Sequence, residues 1–227
     1  MGKKIKIRDK EFLLDCCLIL IVLQIARIII KNVLLSVLNF TAVNVNIANI
    51  ISIMIVGISV FLFLRGSNLF NPAGCRLTEL SNKYDNKKIR IILFVIMAIV
   101  LAVTVVFKSN EVFYGLLIIC LSAIVVPVYE ELLFRQYLWN YISGFLENEK
   151  ITWIIVSVFS VLFILGYWDI VSQNLQVITS DRFAIDVVFS KIGVGILTAI
   201  ASGFMKYKYK DIYLCMFVHI ILSCIFL

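Results

Sequence analysis

The sequence is short of three things: proline, histidine and charge. It has two prolines and one histidine in 227 residues, and charged residues make up 15% of it. A soluble domain carries about 25% charged residues, so this chain lacks the polar surface that keeps a globular domain in water. Scarce proline leaves long stretches free to run as helix. A single histidine, His219, argues against a catalytic zinc, which wants three protein ligands, often histidines. Nor do the six cysteines compose a disulfide framework. Cys16, Cys17, Cys120, Cys215 and Cys224 lie in apolar segments and Cys75 in a basic loop, the pattern of free thiols acting as small hydrophobes. No internal repeat or low-complexity tract is evident. The basic start (residues 1–10) leads into an apolar stretch too long for a signal-peptide core and without a small-residue cleavage site, so it reads as a retained first span.

What is abundant is apolar sequence: 62% of the residues are hydrophobic and the mean hydropathy is +1.04. This predicts an integral membrane protein, all-α, a polytopic bundle of about seven spans (six to eight) forming a single membrane domain over 1–227. The spans fall at about 12–37, 46–64, 89–107, 112–142, 151–168, 186–204 and 211–227. The fourth exceeds the ~20 residues a span needs and holds Pro127. It is either one kinked helix or a span joined to a second, partly buried helix. The first, interrupted by Asp15, Gln24, Arg27 and Lys31, is either one helix or two pieces. Lysines and arginines cluster at 3–10, at 65–90 and at 206–210, which fall on one side if the spans alternate. That predicts a cytoplasmic N-terminus, with 169–185 as an outer loop or interfacial segment. The net charge of +7 belongs to these membrane-flanking clusters and is no sign of nucleic-acid binding. In the sixth span Gly195, Ala199 and Gly203 repeat every four residues, a spacing that lets helices approach closely.

Within the fourth span two acids stand side by side, in Glu130-Glu131-Leu132-Leu133-Phe134-Arg135. A carboxylate in a bilayer costs roughly 2.5–3.5 kcal/mol on insertion scales, which makes intramembrane acids functional suspects. Adjacent helical residues point about 100° apart, so the two acids have different surroundings. Arg135 is four residues beyond Glu131, the spacing of facing side chains. An ion pair between them would offset the cost of burying both. Glu130 is left without that partner, as suits a general base that activates water. The alternative is a structural ion network of all three. His219 stands about 12 Å into the last span, and Ser223, four residues on, shares its face.

Taken together these motifs resemble the CPBP family of intramembrane proteases, which includes CAAX prenyl proteases and bacteriocin-processing or immunity (Abi-like) proteins. The family pattern is Glu-Glu-x-x-x-Arg, then Phe-x-x-x-His, then His-x-x-x-Asn. Residues 130–135 match the first motif in full and His219 matches the last, within a catalytic-type core at 112–227. The resemblance implies that Glu130 activates water, that Glu131 and Arg135 support it structurally, and that His219 stabilises the oxyanion. Two positions depart from the pattern. Tyr167, in Phe163-Ile164-Leu165-Gly166-Tyr167, stands in place of the middle histidine, and Ser223 in place of asparagine. A phenol with an ordinary pKa of about 10 is a poor substitute for imidazole at neutral pH.

The resemblance therefore implies a CPBP-type intramembrane glutamic endopeptidase, a hydrolase with Glu130, His219, Tyr167 and Ser223 at its site and no cofactor. Its partners are membrane lipid and a membrane-associated or lipidated peptide or protein, in a bacterial cell membrane. An Ile-, Lys- and Asn-rich composition agrees with an AT-rich bacterial genome. The alternative is a catalytically weak or inactive member that acts as a membrane regulatory partner, for example of a sensor kinase, or as a bacteriocin immunity protein. A transporter fits less well, because no second broken helix pairs with the Pro127 helix.

Overall fold

The computed structural model describes residues 8–66, 86–108, 112–146, 148–167 and 181–226. Among these the chain forms seven helices and no strand: α1 Arg8–Val37, α2 Ala42–Gly66, α3 Lys87–Lys108, α4 over 112–145, α5 Glu149–Leu165, α6 Asp181–Tyr209 and α7 Ile212–Ile225. Four stretches are long and apolar enough to cross a membrane: Glu11–Val37, Ala42–Leu62, Lys87–Phe107 and Phe113–Phe145. Ile212–Ile225 is a shorter apolar helix. The protein is a helical membrane bundle. Cys75, Asp169 and most of the two basic regions at 3–10 and 65–90 lie outside the described residues. So does most of the proposed outer segment at 169–185, whose last residues from Asp181 already belong to α6.

The interruptions in α1 do not break it; it is one helix of 30 residues. Three of them, Gln24, Arg27 and Lys31, share a buried face, while Asp15 is exposed. Phe12, Cys16, Leu20, Gln24, Arg27 and Lys31 are buried, while Leu14, Leu18, Ile21, Val22, Ile25, Ile29 and Val33 are exposed. Helical spacing separates the two sets, and the polarity is that of a membrane bundle, with apolar side chains outward and polar ones inward. α2 repeats the arrangement, with Asn46, Asn49 and Ser52 buried beside Ile53 and Val56.

α4 is a single helix, and its regularity changes along its length. π-helical stretches at Cys120–Val125 and Leu132–Leu138 bracket the α-helical Val126–Glu131. Pro127 directly follows the first of these stretches, inside the continuous helix, where its missing N–H interrupts the regular hydrogen-bond ladder. Wide turns of this kind re-aim side chains and recur at functional sites. Here they flank the two acids and carry Arg135.

α6 packs between α5 and α7, and α3 lies along α7. The small-residue row on α6 faces α5. A Cβ on Gly195 would fall 2.2 Å from Ile164 Cδ1, and one on Gly203 2.5 Å from Trp153 Nε1. Trp153 cannot yield easily, because its ring stacks on Tyr207 at 5.9 Å and tilts against Phe204. Gly203→Val is therefore expected to destabilise the bundle by about 1–3 kcal/mol. Gly193→Ala, where a Cβ meets nothing within 4 Å, is expected to be neutral. Thermal unfolding of the two variants in detergent checks both.

The basic segment 206–210, between the spans expected at 186–204 and 211–227, is mostly helix. α6 continues to Tyr209 and Lys206 is 1% exposed. The chain reverses at Lys210, whose φ of 55° is left-handed. The turn is held from three sides: Asn86 Nδ2 donates to the Tyr209 carbonyl at 3.0 Å, Arg90 pairs with Asp211, and Lys210 pairs with Glu149. Asp211 also caps α7 by accepting from the Tyr213 N–H at 2.9 Å, as an N-cap aspartate does. This fixes where α7 begins, and so the height of His219.

Candidate active site

α4 and α7 pack side by side, and their polar residues meet in the interior. Glu130, Glu131, Arg135 and His219 are all buried, none more than 6% exposed. Arg135 Nε lies 3.5 Å from Glu131 Oε2, the expected i,i+4 pair. Arg135 Nη2 also donates to the Ala199 carbonyl at 2.7 Å. That carbonyl, with two lone pairs to offer, also accepts from Ser157 at 3.2 Å. Arg135 thus ties α4 to α6, and Ser157 ties α5 to the same atom.

His219 bridges the two acids. Its Nδ1 is 2.8 Å from Glu131 Oε1, a direct hydrogen bond, and its Nε2 is 3.9 Å from Glu130 Oε2. Nδ1–H donating to Glu131 fixes the ring's orientation and directs Nε2 toward Glu130, the way a buried carboxylate orients a histidine in hydrolase triads. Glu131 is therefore more than the partner of Arg135; it holds the imidazole as well. Ser202 of α6 stands beside the Glu131 carboxylate, with its hydroxyl donating to the Thr198 carbonyl at 2.6 Å.

Tyr167 also reaches this cluster, from a different position than expected. α5 ends at Leu165, Gly166 is its C-cap, and Tyr167 lies in the turn beyond the helix. The buried phenol faces Glu130. Ser223 is half-buried, one turn beyond His219, and forms no hydrogen bond among the described residues. The structure thus brings together Glu130, Glu131, Arg135, His219 and Tyr167, and leaves Ser223 at the edge.

The family model for type II CAAX prenyl endopeptidase Rce1-like proteins matches residues 111–225. The chain belongs to this CAAX-protease family. Among curated proteins and solved structures, none matches it. The matched segment runs from the start of α4 to the end of α7, so every member of the cluster falls inside it.

Four side chains at or near the site carry no signal in the family motifs: Ser157, Ser202, Gln24 and Arg27. The two serines are ordinary residues in apolar helices. Their role depends on which carbonyl or carboxylate a neighbouring helix presents. Gln24 and Arg27 are visible in the sequence as polar interruptions of α1, but what they face is fixed only by packing.

Proposed function

We propose that the protein is an intramembrane endopeptidase that hydrolyses a peptide bond of a membrane-associated or lipidated peptide, with Glu130 activating water. The observation that carries this reading is the 3.9 Å approach of His219 Nε2 to Glu130, with Nδ1 held by Glu131. The buried charges explain why the arrangement suits proton transfer. Arg135 is positive and Glu131 negative. One proton shared between Glu130 and His219 keeps the group of four neutral, whichever of the two carries it. Moving that proton therefore leaves the net buried charge unchanged, which removes much of the cost of ionisation at low dielectric.

The steps follow. Glu130 takes a proton from water as the oxygen attacks the scissile carbonyl. His219, as an imidazolium backed by Glu131, donates Nε2–H to the developing oxyanion; one such donor is worth about 10²–10³ in rate. Glu130 then returns its proton to the departing amine as the C–N bond breaks. Tyr167 orients the water from the Glu130 side. We propose that no metal takes part: the cluster offers one imidazole, and Glu131 is committed to Arg135 and His219. The partners proposed are membrane lipid and the membrane-bound substrate. A bacterial cell membrane with the N-terminus on the cytoplasmic side is supported by the composition and the basic clusters.

The second reading is a catalytically weak member that acts by binding another membrane protein or as a bacteriocin immunity protein. Tyr167 in the histidine position favours it. Reconstitution in lipid vesicles with an internally quenched, farnesylated peptide distinguishes the two. Hydrolysis that is lost in His219→Ala and reduced in Tyr167→Phe is expected. No hydrolysis, together with a cellular phenotype that survives Glu130→Ala, would establish the binding role.

A further inference from the structure

The first helix, outside the family-matched segment, reaches the site. Arg27 is 1% exposed and its guanidinium carbon lies 4.9 Å from the centre of the Tyr167 ring. Its Nη2 donates to the Gly166 carbonyl at 3.0 Å and its Nε to Gln24 Oε1 at 2.8 Å. Gln24 Nε2 in turn donates to the Phe163 carbonyl at 3.2 Å. The last carbonyls of a helix have no partner in their own helix, and that end is partly negative. The Phe163 carbonyl accepts from the Gly166 N–H at 2.9 Å; Gln24 adds a second donor to it, and Arg27 brings a donor and a positive charge to the Gly166 carbonyl. Position 166 is shaped for this contact: a Cβ there would lie 2.7 Å from Gln24 Nε2, so any larger residue pushes the Gln24 side chain aside.

We infer that Arg27 and Gln24 are positioning residues of the active site: they clasp the end of α5 and hold Tyr167 against Glu130. The contact also fits the departure from the family pattern. A guanidinium stacks favourably on a neutral phenol ring, whereas an imidazole that gained a proton there would meet a like charge. Arginine suits the role because its planar fork reaches the carbonyl and the ring face together, which an ammonium does not. The effect on turnover rests on the proposed hydrolytic reading; the clasp itself does not.

Hydrogen exchange and hydrolysis, measured on the full chain in lipid nanodiscs, test the two parts separately. Arg27→Gln is expected to raise amide exchange over 160–167 about tenfold, the size of one charged hydrogen bond, with α7 unchanged. Cleavage of the quenched farnesylated peptide is expected to lose about tenfold in kcat, with KM within about twofold and partial recovery in Arg27→Lys. If Arg27→Gln does not fold, Gly166→Ala, which presses on Gln24, is expected to give the same pattern. Unchanged exchange over 160–167 overturns the clasp whatever the hydrolysis shows. Raised exchange with undiminished kcat overturns its positioning role. Raised exchange in a protein whose wild type cleaves nothing supports the clasp and counts against the hydrolytic reading instead.

Discussion

Glu130→Gln is expected to reduce hydrolysis by about 10²–10⁴-fold, the usual contribution of a general base, while leaving the protein folded and at least as stable as the wild type. Glutamine keeps the shape of the side chain and can still fill the space beside His219 Nε2, now 3.9 Å from the carboxylate. It cannot accept a proton from water. Stability is preserved because the shorter contacts belong to its neighbour: Glu131 holds His219 at 2.8 Å and faces Arg135 at 3.5 Å, against 3.9 Å from Glu130 to His219. The measurement is kcat on the quenched farnesylated peptide alongside a thermal midpoint in the same vesicles. A variant that remains folded and cleaves at the wild-type rate would remove Glu130 from the mechanism. A variant that loses both activity and stability would instead make it a structural member of the network.

That separation between the two acids was partly legible in the sequence. The i,i+4 spacing pointed to the Glu131–Arg135 pair, because a helix alone dictates which side chains face each other. The bond from His219 to Glu131 was not legible, since it depends on how α7 is set against α4. That setting comes from the turn at Lys210 and the clamps on it from Asn86, Arg90 and Glu149, three contacts distant in sequence. Helix existence was readable from apolar runs, and among the described residues each of the seven predicted segments holds a helix. The ends were less so: α6 runs on through Lys206, because that lysine is buried at the bundle's edge and does not mark a solvated turn. The place of Tyr167 was misjudged as helical for a similar reason. The helix closes locally, with the Gly166 and Tyr167 N–H groups donating to Phe163 and Ile164, and nothing in that stretch announces that a glutamine and an arginine from α1 will meet its carbonyls.

Arg135→Leu is expected to be the most destabilising single change at the site, by about 3–5 kcal/mol, the cost of leaving one member of a buried pair behind. The arginine is 1% exposed and serves two helices. It neutralises Glu131 within its own helix at 3.5 Å and donates to the Ala199 carbonyl of α6 at 2.7 Å. Its loss takes the guanidinium away from Glu131, which keeps His219 and Ser202 beside it, and leaves a protonated imidazole as the counter-charge within the cluster. The proton shared with Glu130 is then no longer free to move, so hydrolysis is expected to fall even in the fraction that stays folded. Replacing both members removes the charge imbalance, so Glu131→Gln with Arg135→Leu is expected to cost less than the sum of the single changes. The coupling is read from a double-mutant cycle of unfolding free energies. Simple additivity would mean that Glu131 and Arg135 contribute independently, and that the charge balance of the four buried groups does not govern the site.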